Sequence, residues 1–559
     1  MKKALEKYAI LLYHIYIAIF NRAVRNYCLI SLLHSLKYPK GNTSKRRKHS
    51  AFAFQGMVNI MNSLYESTRN KNILVSSSRA VLDGLAPDGG LFVMRGLDSE
   101  KADINSMLSM SYIEMAQYIL GILLPDFPEQ TMRDCVHKAY SKFDTPEITP
   151  IVKVGDNWIL ELFHGPTCAF KDVALQMLPR LVTASKELNG DSSETVILTA
   201  TSGDTGKAAL EGFCDVKNTK IIVFYPSDGV SVVQKAQMTT QSGNNTYVCG
   251  IKGDFDDAQT GVKKIFADDS VKELLNSNNK HFSSANSINV GRLAPQVVYY
   301  FYAYKKLIDN NAIKIGDKVN FAVPTGNFGD ILAGRYAQML GLPINKLICA
   351  SNSNNVLFDF INTGVYNRKR ELSKTISPSM DILVSSNLER LLYYASGKDN
   401  ELISTLMKNL AQNGEYTVPA EMLKQIQSEF YAGYANDAMT MATLKKYYDE
   451  TAYVADTHTG VALNVTDAYK AATGDKTPTV VLSTASPFKF SNSVYSALFG
   501  ADAAAKLHDE YAVMEDLSAR TGCAIPAPLA ELKNKPIRHN TVCAKNEMPD
   551  FVLKSVRLE

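Results

Sequence analysis

The sequence predicts an α/β protein whose chemistry sits at the ends of parallel strands, and three observations carry that expectation. Between residues 195 and 268, short apolar runs alternate with helix-length amphipathic segments, the pattern of βαβ units and a parallel sheet. Four strand ends open into loops of glycine, hydroxyl residues and turn formers, near residues 164–167, 201–206, 324–330 and 483–487. Finally, 46% hydrophobic and 21% charged content is ordinary for a globular chain.

Residues 1–50 stand apart. They hold 11 of the 60 Lys and Arg but one of the 56 Asp and Glu, which leaves 49 basic against 55 acidic residues in the body. That balance gives no support to a nucleic-acid role. Residues 8–20 are nearly all apolar, yet this run of 13 falls short of the roughly 20 that cross a bilayer. No A-x-A-like cleavage site follows, and Lys45, Arg46, Arg47 and Lys48 fit an address or a membrane-surface patch. For residues 1–56 a targeting sequence, a peripheral anchor and a stretch upstream of the true start compete. The expectation favours the last, with Met57 or Met61 as the start. Eight cysteines scattered without a C-x-x-C pair argue against a disulfide framework or zinc site and for a reducing, cytoplasmic compartment.

Residues 57–150 read as a mostly helical N-terminal domain. An apolar helix tail runs into the turn Pro87-Asp88-Gly89-Gly90, and residues 104–140 are amphipathic helices broken at Pro125 and Pro128. Strands are expected at 195–200, 220–225 and 246–251, between helices at 207–213, 232–240 and 256–268. Residues 319–323, 346–350 and 479–483 are further strands of the same kind, while 387–450 reads as helical. The division expected is a large α/β domain from 151–198 and 288–540, a small α/β domain from 199–287, and a C-terminal tail from 541–559.

Lys171 lies where the apolar run 158–163 hands over to a helix, beside Cys168, Ala169 and Phe170. Open α/β sheets bind ligands at the carboxyl ends of strands, and desolvation favours the neutral amine that attacks a carbonyl. Taken alone, F-K-D reads as a surface lysine at a helix start, and only the loops that follow reverse that reading. The loop T-S-G-D-T-G-K at 201–207 suits an N-capped helix or an anion at a helix N-terminus. A nucleotide P-loop fails there, since Thr201 stands where glycine is required and Ala208 follows the lysine. Residues 324–330, with Gly326 and Gly329, form a second anion cradle, and residues 483–486 end a strand in hydroxyls. A reactive amine, two anion sites and a neutral hydroxyl are what pyridoxal phosphate needs.

The motifs resemble those of a known family. S-T-R at 67–69, G-L-A-P-D-G-G-L at 84–91, H-G-P-T-C-A-F-K-D at 164–172, S-G-D-T-G at 202–206, G-N-F-G-D at 326–330, D-T-H-T-G at 456–460 and S-T-A-S-P-F-K-F at 483–490 are similar to those of threonine synthases of the longer type, which have an extra N-terminal domain. The resemblance runs in the same order over about residues 62–530 and leaves residues 1–56 without a counterpart.

What the resemblance implies is specific. The fold is that of the fold type II, tryptophan synthase β-like, pyridoxal phosphate enzymes: two open parallel-sheet domains plus the mostly helical N-terminal one. Lys171 matches the lysine that holds pyridoxal 5'-phosphate as an imine and shuttles protons. Gly326, Asn327, Phe328 and Asp330 match the cofactor's phosphate loop, and Thr484 the residue at its ring nitrogen. Ser202, Asp204 and Thr205 match the loop at the substrate carboxylate and ring edge, although asparagine is common where Asp204 stands. Asn286, Ser287 and Arg292 resemble a site for the substrate's own phosphate, with Arg292 supplying a planar charged fork. His458 is explained as well by a helix cap as by a catalytic contact. The reaction implied turns O-phospho-L-homoserine and water into L-threonine and phosphate by γ-elimination and β-addition, the last step of threonine biosynthesis. No metal, nucleic acid or membrane is expected for the body of this monomer or homodimer. Two rivals stay open: a phospho-lyase giving 2-oxobutyrate, and a non-catalytic α/β binding scaffold.

Overall fold

A computed structural model describes residues 62–201, 203–228 and 230–558. The readings of residues 1–56 and of Ser202 therefore lie outside the described residues. Strands β1 (Tyr65–Ser67), β2 (Asn70–Val75) and β3 (Phe92–Met94) form a small antiparallel sheet in the order β2-β1-β3. Its S-T-R motif is a clasp. Ser67 donates to Asp88 at 2.9 Å, Thr68 donates to Glu389 at 2.5 Å, and Arg69 forks onto the same carboxylate at 2.9 and 2.7 Å. Helix Tyr112–Leu123, begun by a Ser111/Glu114 capping box, and helix Glu129–Tyr140 complete this region.

Next come β4 (Ile151–Val154) and β5 (Asn157–Glu161), then β6 (Glu194–Ala200), β7 (Thr219–Pro226), β8 (Thr246–Ile251) and β9 (Lys280–Ser283). Helix Val290–Asp309 leads to β10 (Val319–Pro324) and β11 (Ile344–Ser351). The short pair β12 (Val365–Asn367) and β13 (Glu415–Thr417), then β14 (Phe430–Tyr434), β15 (Thr479–Ser483) and β16 (Val542–Cys543), finish the set. The large sheet runs β14-β11-β10-β15-β5-β4 and is parallel except at β4; the small sheet runs β16-β8-β7-β6-β9 and is parallel throughout. Strands β7 and β10 are buried at every residue. That is why, Lys220 and Asn320 apart, they read as apolar runs without alternation: a parallel strand covered on both faces has no solvent side to mark.

The structure departs from the sequence reading in three places, the first being β6, which the expected division at 198/199 cuts and which lies wholly in the small sheet. Residues 387–450 are not all helical, because β14 joins the large sheet from within them. Within the segment read as a tail, β16 pairs with β8, and Cys543, Met548, Val552 and Val556 pack with Cys249 and Ile251. The apolar spacing 548, 552, 556 marks one helical face, hidden in a stretch rich in Lys, Asn and Asp.

Neighbouring strands β10, β15 and β5 bring their carboxyl ends out side by side. Past the strand ends, Leu162 N donates to Ser483 O at 2.9 Å, Phe170 N to Thr484 O at 2.8 Å, and Ser486 N to Cys168 O at 3.1 Å. Lys171 is thereby held against Thr484. Farther along, Arg390, wholly buried on helix Leu388–Ala395, donates to Phe92 O at 3.0 Å, to Ile288 O at 2.6 Å and to the Asn387 side chain. Arg390→Met keeps the stem and strands these acceptors, at about 1–3 kcal/mol each. Its unfolding free energy is expected to fall by about 3 kcal/mol or more, read in urea as a lower midpoint with an unchanged slope.

Candidate active site

Lys171 opens the helix Lys171–Leu175 at the exit from β5. Its Nζ donates to Ser379 Oγ at 3.1 Å and stands 3.6 Å from Asp204 Oδ2. Burial pushes this amine below the ordinary lysine value; Lys489 and Arg292 push the same way, against Asp204 and Asp330. The neighbouring Asp172 turns aside to accept from Thr167 N and Oγ1, both at 2.7 Å, and so shapes the H-G-P-T turn.

Strand β6 exits into Thr201, whose hydroxyl accepts from the N–H groups of Gly203 and Gly206 at 2.9 Å. Gly203 takes φ 143°, and a Cβ there would meet the Gln234 amide at 2.4 Å, so only glycine fits. Asp204 then begins the helix Asp204–Phe213. Its Oδ1 pairs with Lys489 Nζ at 2.8 Å and accepts from Gln234 Nε2 at 3.1 Å, while Oδ2 accepts from Ser379 Oγ at 3.0 Å. Burial raises the carboxyl's pKa, but the two ammonium groups and these hydrogen bonds outweigh it and hold the group far below the usual carboxylate range. Thr205 follows, half-buried.

Strand β10 exits into residues 325–328, and helix Gly329–Met339 begins behind them. Among the described residues, the N–H groups of Gly326, Asn327 and Phe328 have no hydrogen-bond acceptor. Phe328 is left-handed at φ 64°. A Cβ on Gly326 would meet Ser379 O at 2.8 Å. Asn327 turns its carbonyl away, to Asn387 N at 3.2 Å and Nδ2 at 3.1 Å. Free N–H groups ahead of a helix start make an anion cradle. Asp330, buried beside it, has its carboxyl pushed up to about 6 by burial, against its hydrogen bonds to backbone N–H groups and the Lys171 charge.

In the loop before helix Val290–Asp309, Asn286 is exposed and Ser287 Oγ accepts from Asn387 Nδ2 at 3.3 Å. Asn387 therefore ties this loop to the cradle. Arg292, in the first turn, donates to Ala285 O, yet its buried Nε has no partner among the described residues. Burial alone brings its guanidinium down to about 10. Thr484, 4% exposed, keeps a hydroxyl without a hydrogen-bond partner among the described residues.

Comparison with known proteins supplies the family. Residues 64–140 match "Threonine synthase N terminus", residues 144–485 "Pyridoxal-phosphate dependent enzyme" and residues 459–548 "Threonine synthase, C-terminal". The chain belongs to the threonine synthase family. "Threonine synthase" of Saccharomyces cerevisiae is 37% identical over 468 residues, 78% of this chain and 89% of that one. "Threonine synthase-like 1" of Homo sapiens is 40% identical over 435 residues, 75% of this chain; the chain spans 58% of that protein's length. Among solved structures, yeast threonine synthase superposes with a TM-score of 0.79 at 32% identity, covering 89% of this chain and 98% of that one. A pyridoxal-phosphate-bound threonine synthase from Brucella melitensis gives 0.77 at 36%, covering 88% and 99%. The two parallel sheets are accordingly those of fold type II enzymes.

For a member of this pyridoxal-phosphate-dependent family the donor set fits the cofactor: a buried amine, a row of free N–H groups and an uncommitted hydroxyl on adjacent strand ends. Sequence reasoning missed Ser379, Asn387 and Lys489. Lys489 carried a signal, a lysine in the apolar run P-F-K-F, whereas Ser379 and Asn387 sit in a stretch without periodicity. His458 now has a place. Its Nε2 accepts from Ser379 N at 3.1 Å and its Nδ1 lies 2.8 Å from Asp456 Oδ1, which puts the proton on Nδ1. Gly326→Ala drives a methyl against the backbone that carries Ser379. Cofactor affinity, followed by fluorescence titration, is expected to fall about tenfold or more.

Proposed function

We propose that the protein converts O-phospho-L-homoserine and water into L-threonine and inorganic phosphate with pyridoxal 5'-phosphate. The observation that carries this reading is Arg292, a buried guanidinium with, among the described residues, a free Nε and no carboxylate partner, close enough to Lys171 to depress its amine. Such a group is costly to bury unless an anion completes it. A substrate with its own phosphate supplies that anion; a hydroxyl amino acid brings only its carboxylate, which the start of helix Asp204–Phe213 is placed to take.

Pyridoxal phosphate supplies the sink for the charge left when the substrate's α proton is removed. Lys171 would hold it, the N–H groups of Gly326, Asn327 and Phe328 would cradle its phosphate, and the Thr484 hydroxyl would serve its ring nitrogen. Asp330, whose carboxyl burial pushes up to about 6, lies beside the same cradle. The ionised, paired Asp204 suits the ring edge, which leaves the substrate carboxylate to Ser202, Thr205 and the start of helix Asp204–Phe213. Burial lowers the pKa of the Lys171 amine, so that, once the substrate's own amine has displaced it from the cofactor, it can take the α proton, give that proton up again, and then take a β proton. Arg292, Asn286 and Ser287 hold the phosphate as it leaves the γ carbon, and water then adds at the β carbon. Scattered cysteines fit a cytoplasmic setting for this chemistry.

Identifying the product separates threonine from the 2-oxobutyrate of a phospho-lyase. Lys171→Ala is expected to abolish both the bound cofactor's absorbance and turnover; survival of both would place the cofactor elsewhere. Arg292→Ala removes charge-assisted bonds, and its KM for phosphohomoserine is expected to rise about 10- to 100-fold. Affinity for phosphate-free amino acids should be nearly unchanged, and equal losses for both would take Arg292 out of the phosphate site.

A further inference from the structure

Two ammonium groups behind the site share one carboxylate. Lys489, wholly buried on the 3-10 turn Pro487–Phe490, places Nζ 2.8 Å from Asp204 Oδ1 and 2.9 Å from Thr167 O. Lys171 Nζ lies 3.6 Å from Oδ2, beyond hydrogen-bonding reach, with the Ser379 hydroxyl between them accepting at 3.1 Å and donating onward at 3.0 Å. Among the described residues, Asp204 is the one carboxylate paired with either ammonium. A single carboxylate neutralises a single cation. The second is then a net charge taken out of water, and desolvation favours its neutral form.

We propose that Lys489 is a positioning residue: by taking the nearer contact with Asp204, it leaves Lys171 the more weakly paired amine of the two, and so the one of the pair that gives up its proton. The inference rests on Lys171 being the amine that holds the cofactor. The other charged groups in reach do not undo it. Around Lys171, the Arg292 cation and the Asp330 carboxyl act in opposite directions. Around Lys489 stand Asp172, already engaged by Thr167, and the Cys168 thiol, which burial keeps protonated at about 12. His458 reaches Lys171 only through Ser379, with a ring nitrogen that accepts. The arrangement has a physical logic, for a lysine that must be a base cannot sit in a full ion pair, and an aspartate that must stay ionised when buried needs one.

The test is a pH titration of the resting holoenzyme's visible cofactor absorbance, run beside the pH profile of threonine formation. Lys489→Met frees Asp204 to pair with the nitrogen of Lys171 and favours its charged form. Both the spectral midpoint and the acid limb of the rate are expected to move up by about one pH unit or more. Lys489→Arg keeps the charge and should return both to within about 0.3 of the wild-type values. Asp204→Asn removes the shared charge and should move the spectral midpoint down. A merely structural role for Lys489 would dim the band or slow turnover without moving either midpoint. If Lys489→Met does not fold, Asp204→Asn decides, and a midpoint that stays or rises overturns the inference. Wild-type spectra and product as expected, with midpoints unmoved in the variants, overturn this inference alone. A wild-type protein with no cofactor band and no threonine overturns the functional reading, and this inference with it.

Discussion

One buried guanidinium joins parts of the chain that lie hundreds of residues apart. Arg390 reaches the N-terminal sheet at Phe92, the loop before Arg292 at Ile288, and the amide of Asn387. Through its own NH2 group Asn387 then holds Asn327 O and Ser287 Oγ. The two proposed phosphate sites, one for the cofactor and one for the substrate, therefore hang from a single side chain. Lysine cannot replace it, because a point charge on a flexible stem lacks the fixed fork that reaches three acceptors at once. None of the residues assigned to the candidate site comes from the N-terminal sheet, yet that sheet supplies one wall against which this fork is set.

Around that anchor, the fold solves an electrostatic problem. Parallel sheets aim their carboxyl ends, and the helix N-termini that follow them, toward ligands, which creates positive potential suited to phosphates. A nucleophilic lysine in the same cavity benefits from that potential, since neighbouring cations disfavour its charged form. The cost is a buried surplus of positive charge. Asp204 offsets it from the small sheet, so the balance depends on the two sheets being brought together. Chemistry and domain packing are in this way one arrangement.

How much of this the sequence shows depends on the range of the interaction. Lys171, the glycine loop at 326–330 and Thr484 were legible because each sits in a local strand-to-helix junction with its own composition. Asp204 was legible as a loop residue, but not as the partner of Lys489, which comes from the far end of the chain. Ser379 and Asn387 occupy a connection shaped by hydrogen bonds to Asp381, Asn327 and His458 rather than by periodic burial, and no pattern announces them. Strand β14 was absorbed into a helical stretch because five aromatic and small residues are too few to break the surrounding periodicity. The antiparallel β4 and the half-buried β9 left no apolar run to read.

The edge strand β16 has a consequence for biogenesis. The small sheet takes its first four strands from residues 194–283 and its fifth from residues 542–543, with the helix Met548–Ser555 closing over the same apolar face. On a translating ribosome the early strands emerge long before their lid, and Cys249 and Ile251 wait uncovered while the last four strands of the large sheet are made. Only residues 542–556 seal them. A polypeptide shortened by a dozen residues would keep every group proposed for chemistry and still display a greasy, unfinished edge, the kind of surface by which chaperones and proteases tell incomplete chains from finished ones.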